Sequence, residues 1–122
     1  MRITLADERS KVRFALRALL QRQDDMEVVG EAADAQELIA LIEHDCTDLI
    51  LVDCELPGKD LPELLRTVRE TCPDAKIIAL SGRVDARSTA QKAGVDAFVS
   101  KGDPPERLLS AIKSCAQRCS RL

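Results

Sequence analysis

A chain of 122 residues, 45% apolar and 32% charged, has the length and apolar content for one domain with a core inside a charged shell. Its 18 basic and 21 acidic residues leave a net charge of −3, which offers no broad basic face to nucleic acid. No apolar run approaches the roughly 20 residues that cross a bilayer, and the opening MRITLADERS lacks the apolar stretch of a signal peptide, so the chain is expected in the cytoplasm.

Short apolar runs alternate with stretches of helical periodicity. Residues 2–6 read as a first strand, and Val12, Ala15, Leu16, Leu19 and Leu20 follow at the spacing of a buried helical stripe. A second strand at 27–32 leads to Asp34, an N-cap whose capping box is completed by Glu37, and then to a helix with Ala35, Leu38, Ile39 and Ile42 inward. The third strand, 48–53, centres on LILV and reads as buried on both faces. Leu61, Leu64, Leu65 and Val68 form the stripe of a third helix, which the turn TCPD ends. A fourth strand at 76–80, a helix at 85–93 and a fifth strand at 96–100 come next. That fourth helix has only Ala86, Ala90 and Ala93 to bury, far less area than the leucine stripes, and is expected to be the least firmly seated. The last helix starts after Gly102, with Asp103 as N-cap, Pro104 in its first turn, and Leu108, Leu109, Ile112, Cys115 and Ala116 inward. One domain over 1–119 is expected, with 120–122 a tail or the start of a linker.

Five βα units in series predict an α/β fold, a five-stranded parallel sheet with right-handed crossovers between two helical layers. The most economical arrangement is the flavodoxin-like (βα)5 order 2-1-3-4-5. Strands one and three are then neighbours at the topological switch, where such sheets bind ligands. Asp7 and Glu8 follow strand one, Asp53 ends strand three and Lys101 follows strand five, so distant residues share one edge. Three carboxylates packed together repel one another and hold protons unless cations neutralise them. The pattern reads as a Mg²⁺ site with one nucleophilic aspartate and one phosphate-facing lysine.

The five cysteines include no Cys-x-x-Cys pair and are odd in number, so they are expected to be reduced thiols rather than a zinc site or a closed disulfide framework. Cys115 and Cys119 fall on one helical face and read as small apolar residues, with metal binding or pairing to another chain the other readings. Cys54 adjoins Asp53, but in an extended strand it points to the opposite face. A single histidine, His44, leaves no polyhistidine site.

With these residues in this order, the chain resembles the receiver domain of two-component response regulators over essentially its whole length. The segments VVGEAADAQELI, ALSGR and KAGVDAFVSKGDPPERLLSAI are most similar to receivers that precede a helix-turn-helix DNA-binding domain. Five separated positions carry the resemblance: the acidic pair Asp7-Glu8, Asp53 ending strand three, Ser81 ending strand four, Phe98 in strand five and Lys101 after it. It implies that Asp53 accepts a phosphoryl group from the histidine of a sensor kinase. Mg²⁺ would be held by Asp7 or Glu8, Asp53 and the main-chain carbonyl of Glu55, with Lys101 stabilising charge in the transition state. Ser81 would then donate to a phosphoryl oxygen and Phe98 would move, changing the surface of helix four, strand five and helix five. Such a module catalyses only its own phosphorylation and dephosphorylation. A homodimer is among its expected associations, and DNA is reached only through an effector domain, with regulation of transcription as the output.

Taken singly, each position has a plainer reading. Asp7 could be a helix cap, Glu8 a first-turn acid, Asp53 a turn residue, Lys101 surface, Phe98 core and Ser81 a turn former. Departures from the family pattern are Leu56 for a methionine, Ser81 for a threonine, Phe98 for a tyrosine, and the charged Glu55 and Arg83 two positions after Asp53 and Ser81. These last two would overhang the route of an attacking water and so affect the rate of dephosphorylation. The alternative function is a receiver-shaped interaction module that is never phosphorylated. A phosphatase with an aspartyl nucleophile would need a cap or pocket for which this chain has little spare length, and no GxxxxGK or GxGxxG loop supports nucleotide binding.

Overall fold

The structure, a computed structural model, describes residues 1–119, and side chains as far as residue 116. Five strands and five helices alternate: β1 (Arg2–Ala6), α1 (Ser10–Gln21), β2 (Glu27–Ala32), α2 (Ala35–His44), β3 (Leu49–Asp53), α3 (Leu61–Thr71), β4 (Lys76–Ser81), α4 (Ala86–Ala93), β5 (Ala97–Ser100) and α5 (Pro105–Cys119). The strands form one parallel sheet in the order β2-β1-β3-β4-β5. This is the flavodoxin-like arrangement expected from the alternation of apolar runs and helical stripes. The expected tail at 120–122 lies outside the described residues.

Every residue of β3 is buried, as a central parallel strand covered on both faces requires. The period of two along the strands divides the core. Ile50, Val52, Ile77 and Ala79 pack with Leu38 and Ile42 of α2, Leu64, Leu65 and Val68 of α3, and Ala90 of α4. Leu49, Leu51, Ile78 and Leu80 pack on the other face with Leu20 of α1 and Leu108, Ile112 and Cys115 of α5. The α1 stripe is less covered than its spacing suggests: only Leu20 is buried and Ala15 is exposed, because α1 and α5 part at one end around a cavity of about 430 Å³.

Local signals place the helix starts. Asp34 and Asp60 are N-caps that accept from the backbone N–H groups of Glu37 at 2.8 Å and Glu63 at 2.9 Å. Glu37 returns the bond, accepting from Ala33 N at 2.7 Å. The expected Asp103 cap is not formed: its carboxylate accepts from Ser100 N at 3.2 Å, closing the β5–α5 turn instead of capping α5. Arg9 occupies the N-cap position of α1, with Asp7 accepting its N–H at 2.8 Å. Gly58, at φ 107°, closes the loop after β3 where a Cβ would lie 3.2 Å from that of Ala35. Its neighbour Pro57 accepts from Ala35 N at 2.8 Å, joining this loop to the start of α2.

The cysteines depart from expectation. Cys46, before β3, and Cys72, at the end of α3, are joined as a disulfide with Cα atoms 5.7 Å apart. Not all five are therefore free thiols. Their separation of 26 residues carries no signal in the sequence, and only the return of α3 across the sheet brings them together. Cys54 is a free thiol, Cys115 is buried in the core, and the side chain of Cys119 lies outside the described residues.

Candidate functional site

The C-terminal ends of β1, β3 and β4, with the turn after β5, form one edge of the sheet. Backbone bonds hold the connecting loops against it: Asp7 N to Ala32 O at 3.0 Å, Cys54 N to Leu80 O at 2.8 Å and Lys101 N to Ser81 O at 2.9 Å. These bonds bring Asp7, Asp53 and Lys101 together. The Lys101 ammonium bridges the two carboxylates, 2.7 Å from Asp7 Oδ2 and 3.4 Å from Asp53 Oδ2. Asp7 is 1% exposed and Asp53 7%, so both charges are largely withdrawn from water and need this partner.

Each oxygen of the pair has a defined environment. Asp7 Oδ1 accepts from Arg9 N and Asp53 Oδ1 accepts from Glu55 N at 3.1 Å. Asp7 Oδ2 is buried and is paired with the Lys101 ammonium at 2.7 Å without a hydrogen bond of good geometry. A buried carboxylate oxygen beside a second carboxylate suits a hard divalent cation. Of the acidic pair, Asp7 is the member placed beside Asp53. Among the described residues no group of three or more His, Cys, Asp or Glu side chains is arranged to hold a metal, since Lys101 bridges Asp7 and Asp53 while Glu8 is exposed on the rim. Of the donors expected for a cation, the Asp7 and Asp53 carboxylates lie together beside Lys101, and Glu55 lines the cavity in front of Asp53.

In front of Asp53 is a cavity of about 440 Å³ lined by Glu8, Arg9, Asp53, Glu55, Gly82, Arg83 and Lys101. Three acids and three cations share it. Ser81 ends β4 fully buried, and its hydroxyl donates to the Glu55 carboxylate at 2.9 and 3.1 Å while accepting from Arg83 N at 3.0 Å. Phe98 stands apart from the cavity, packed against the α2–α3–α4 side of the core with the Arg87 guanidinium 4.8 Å above its ring. On that same side lies Cys54, as strand alternation requires. Burial pushes its thiol up to about 12, with the nearby Glu55 and Asp53 charges adding to the shift, so it is a protonated, poor nucleophile.

Arg13 had no sequence signal as a site residue, and the Glu55 side chain takes a part other than the one expected. Arg13 of α1 donates to the carbonyls of Asp7 at 2.6 Å and Glu8 at 3.3 Å, and pairs with Glu31, fixing the loop that carries the acidic pair. The Glu55 side chain, expected only to overhang the site, is the acceptor for Ser81.

With this geometry in view, the similarities are specific. The family description "Response regulator receiver domain" matches residues 3–113. Among curated relatives, the uncharacterized transcriptional regulatory protein YhcZ of Bacillus subtilis is 37% identical over 111 residues, 89% of this chain and 52% of that protein. The nitrate/nitrite response regulator NarL of Escherichia coli is 34% identical over 116 residues, 93% of this chain and 54% of the relative. Among solved structures, a LuxR-family two-component response regulator from Aurantimonas superposes with a TM-score of 0.86 at 32% identity, covering 95% of this chain and 85% of that one.

The fold and the sheet-edge acid–lysine site define a two-component signalling module. The chain belongs to the response regulator receiver domain family, and its relatives are transcription regulators. It spans about half the length of the curated relatives it matches.

Proposed function

We propose that this receiver accepts a phosphoryl group on Asp53 from the phosphohistidine of a sensor kinase and passes the change to an effector that controls transcription. The observation that carries this reading is Lys101 bridging the buried carboxylates of Asp7 and Asp53 at the mouth of a charged cavity. An Asp53 oxygen forms the new bond to phosphorus as the bond from phosphorus to the imidazole nitrogen breaks; the bonding pair stays on that nitrogen. Asp53 Oδ1 is held by Glu55 N, which leaves Oδ2 on the Lys101 side as the attacking atom. Lys101 then has a phosphoryl oxygen to pair with in addition to the carboxylates, and the spread negative charge of the transferring group meets a cation already in place.

Asp7, Asp53 and the Glu55 carbonyl would hold Mg²⁺, with Glu8 adding negative charge at the rim. When bound, the ion neutralises the acids and the charge on the transferred group. Ser81 and Phe98 serve as the switch: the hydroxyl turns to the phosphoryl group, drawing the β4–α4 loop inward, and Phe98 re-packs beneath Arg87, altering the α4–β5–α5 surface. Hydrolysis of the aspartyl phosphate by the same site resets it. No described helix is long and apolar enough to cross a membrane.

Incubation with acetyl phosphate and Mg²⁺, followed by intact mass, tests the reading. One labile phosphoryl adduct is expected, abolished by Asp53→Asn. No adduct on the folded wild type would instead favour a receiver-shaped interaction module that is never phosphorylated.

A further inference from the structure

The contact that the phosphoacceptor reading does not use is the one between Ser81 and Glu55. A serine hydroxyl has one proton to donate. Here it goes to the Glu55 carboxylate, with both oxygens within reach at 2.9 and 3.1 Å, while the Ser81 oxygen accepts from Arg83 N at 3.0 Å. The hydroxyl is therefore committed in both directions inside a site where it is fully buried. Glu55 also touches the nucleophile, since its N–H donates to Asp53 Oδ1, and its side chain lines the same cavity as Asp53 and Lys101. A hydrogen bond to an ionised acceptor is about twice as strong as a neutral one.

We propose that the Glu55 carboxylate is a latch on Ser81, holding the β4–α4 loop in its resting form and opposing phosphorylation of Asp53. The inference rests on Asp53 being the phosphoacceptor and adds a regulating residue to that site. It acts in two ways. Glu55 occupies the proton that a phosphoryl oxygen would accept, so Ser81 reaches that oxygen only by exchanging acceptors. The carboxylate also places a negative charge in the cavity that the phosphoryl group must enter. Glu55 is a positioning residue: its side chain reacts with nothing, and its main-chain carbonyl is untouched by substitution. Arg83, across the cavity, supplies the backbone N–H that keeps the Ser81 oxygen in place.

The test compares wild type, Glu55→Ala and Glu55→Gln for the rate of phosphorylation by acetyl phosphate with Mg²⁺, a donor that needs no kinase recognition. Glu55→Ala is expected to react roughly tenfold faster or more, on the scale of a lost hydrogen bond to a charged group. Glu55→Gln, which keeps an acceptor but no charge, is expected to fall between. A merely structural role would slow both variants, and rates at or below wild type in both, with melting temperatures unchanged, overturn the latch. A second readout needs no phosphorylation: hydrogen exchange at the amides of Gly82 and Arg83 is expected to quicken in Glu55→Ala. If the wild type takes no phosphoryl group, the reading of Asp53 fails, and the amide exchange still judges the latch, since unchanged protection at both positions rejects it.

Discussion

Helices α3 and α4 lie on the same face of the sheet and are held to it very differently. The α3 helix buries Leu61, Leu64, Leu65 and Val68, and its N-cap Asp60 accepts a backbone N–H. The α4 helix buries only Ala86 and Ala90, and Asp85 at its N-cap position makes no side-chain cap bond. A fully buried leucine contributes about 1.5–3 kcal/mol from apolar burial, of which an alanine supplies a small part. Besides the Arg87 guanidinium over Phe98, what fastens α4 is at its far end, where Arg69 of α3 donates to Gly94 O at 2.7 Å and pairs with Asp96 at 3.3 Å. The uncapped end is the one that follows Ser81, Gly82 and Arg83. One helix is scaffold, and the other is anchored away from the site and loose beside it, which is the arrangement that a modest change at Ser81 can shift.

Breaking the scaffold should have the largest effect. Leu64→Ala is expected to cost about 2–5 kcal/mol in urea unfolding, because the cavity lies under a fully buried side chain. Less is expected from Gly94→Ala, about 1–2 kcal/mol, since the α4 C-cap holds φ at 90° in the left-handed region with open space around the site of a Cβ. Its signature is faster amide exchange through α4 with α3 protection little changed; equal loss in both helices would mean that they open as one unit. Smaller still is Arg87→Ala, about 0.5–1 kcal/mol from the lost contact over Phe98, read as a shift in the Phe98 ring resonances.

Cys54 sharpens the comparison without any substitution, since it lines the cleft of about 380 Å³ between the starts of α3 and α4. With its thiol raised from the ordinary 9.0 to about 12, the fold holds the proton more tightly than the unfolded chain. The associated stability is complete below pH 9.0 and lost as pH climbs toward about 12. Alkylation of Cys54 near pH 8 should accordingly be slow and quicken in Gly94→Ala if α4 governs access to the cleft.

Much of this was legible from residue order. Leucine and isoleucine stripes at helical spacing located α2, α3 and α5, the LILV run marked the central strand, and the right-handed connections left few sheet orders to choose from. Asp7, Asp53 and Lys101 were legible as neighbours because each ends or follows a strand, and parallel strands deliver their ends to one edge. The rest depends on contacts that only tertiary structure creates. The Cys46–Cys72 bond joins the two ends of a βα unit, the Arg13 clamp reaches from a helix to a loop, and the Glu55–Ser81 bond spans 26 positions. Asp103 had the right chemistry for a cap, but its carboxylate found a nearer donor in Ser100. The α1 stripe overstated burial, since periodicity gives the face of a helix and not how closely a neighbour covers it.

The central claim is that Asp53 itself carries the phosphoryl group, and mapping the modified residue tests it most directly. The protein is treated with acetyl phosphate and Mg²⁺, reduced with borohydride, which converts an aspartyl phosphate to homoserine, and sequenced by tandem mass spectrometry. Homoserine at position 53, and at neither position 7 nor any other aspartate, is the predicted result. An unmodified Asp53 in a protein that is folded and exposed to the donor, or homoserine at a different aspartate, would contradict it.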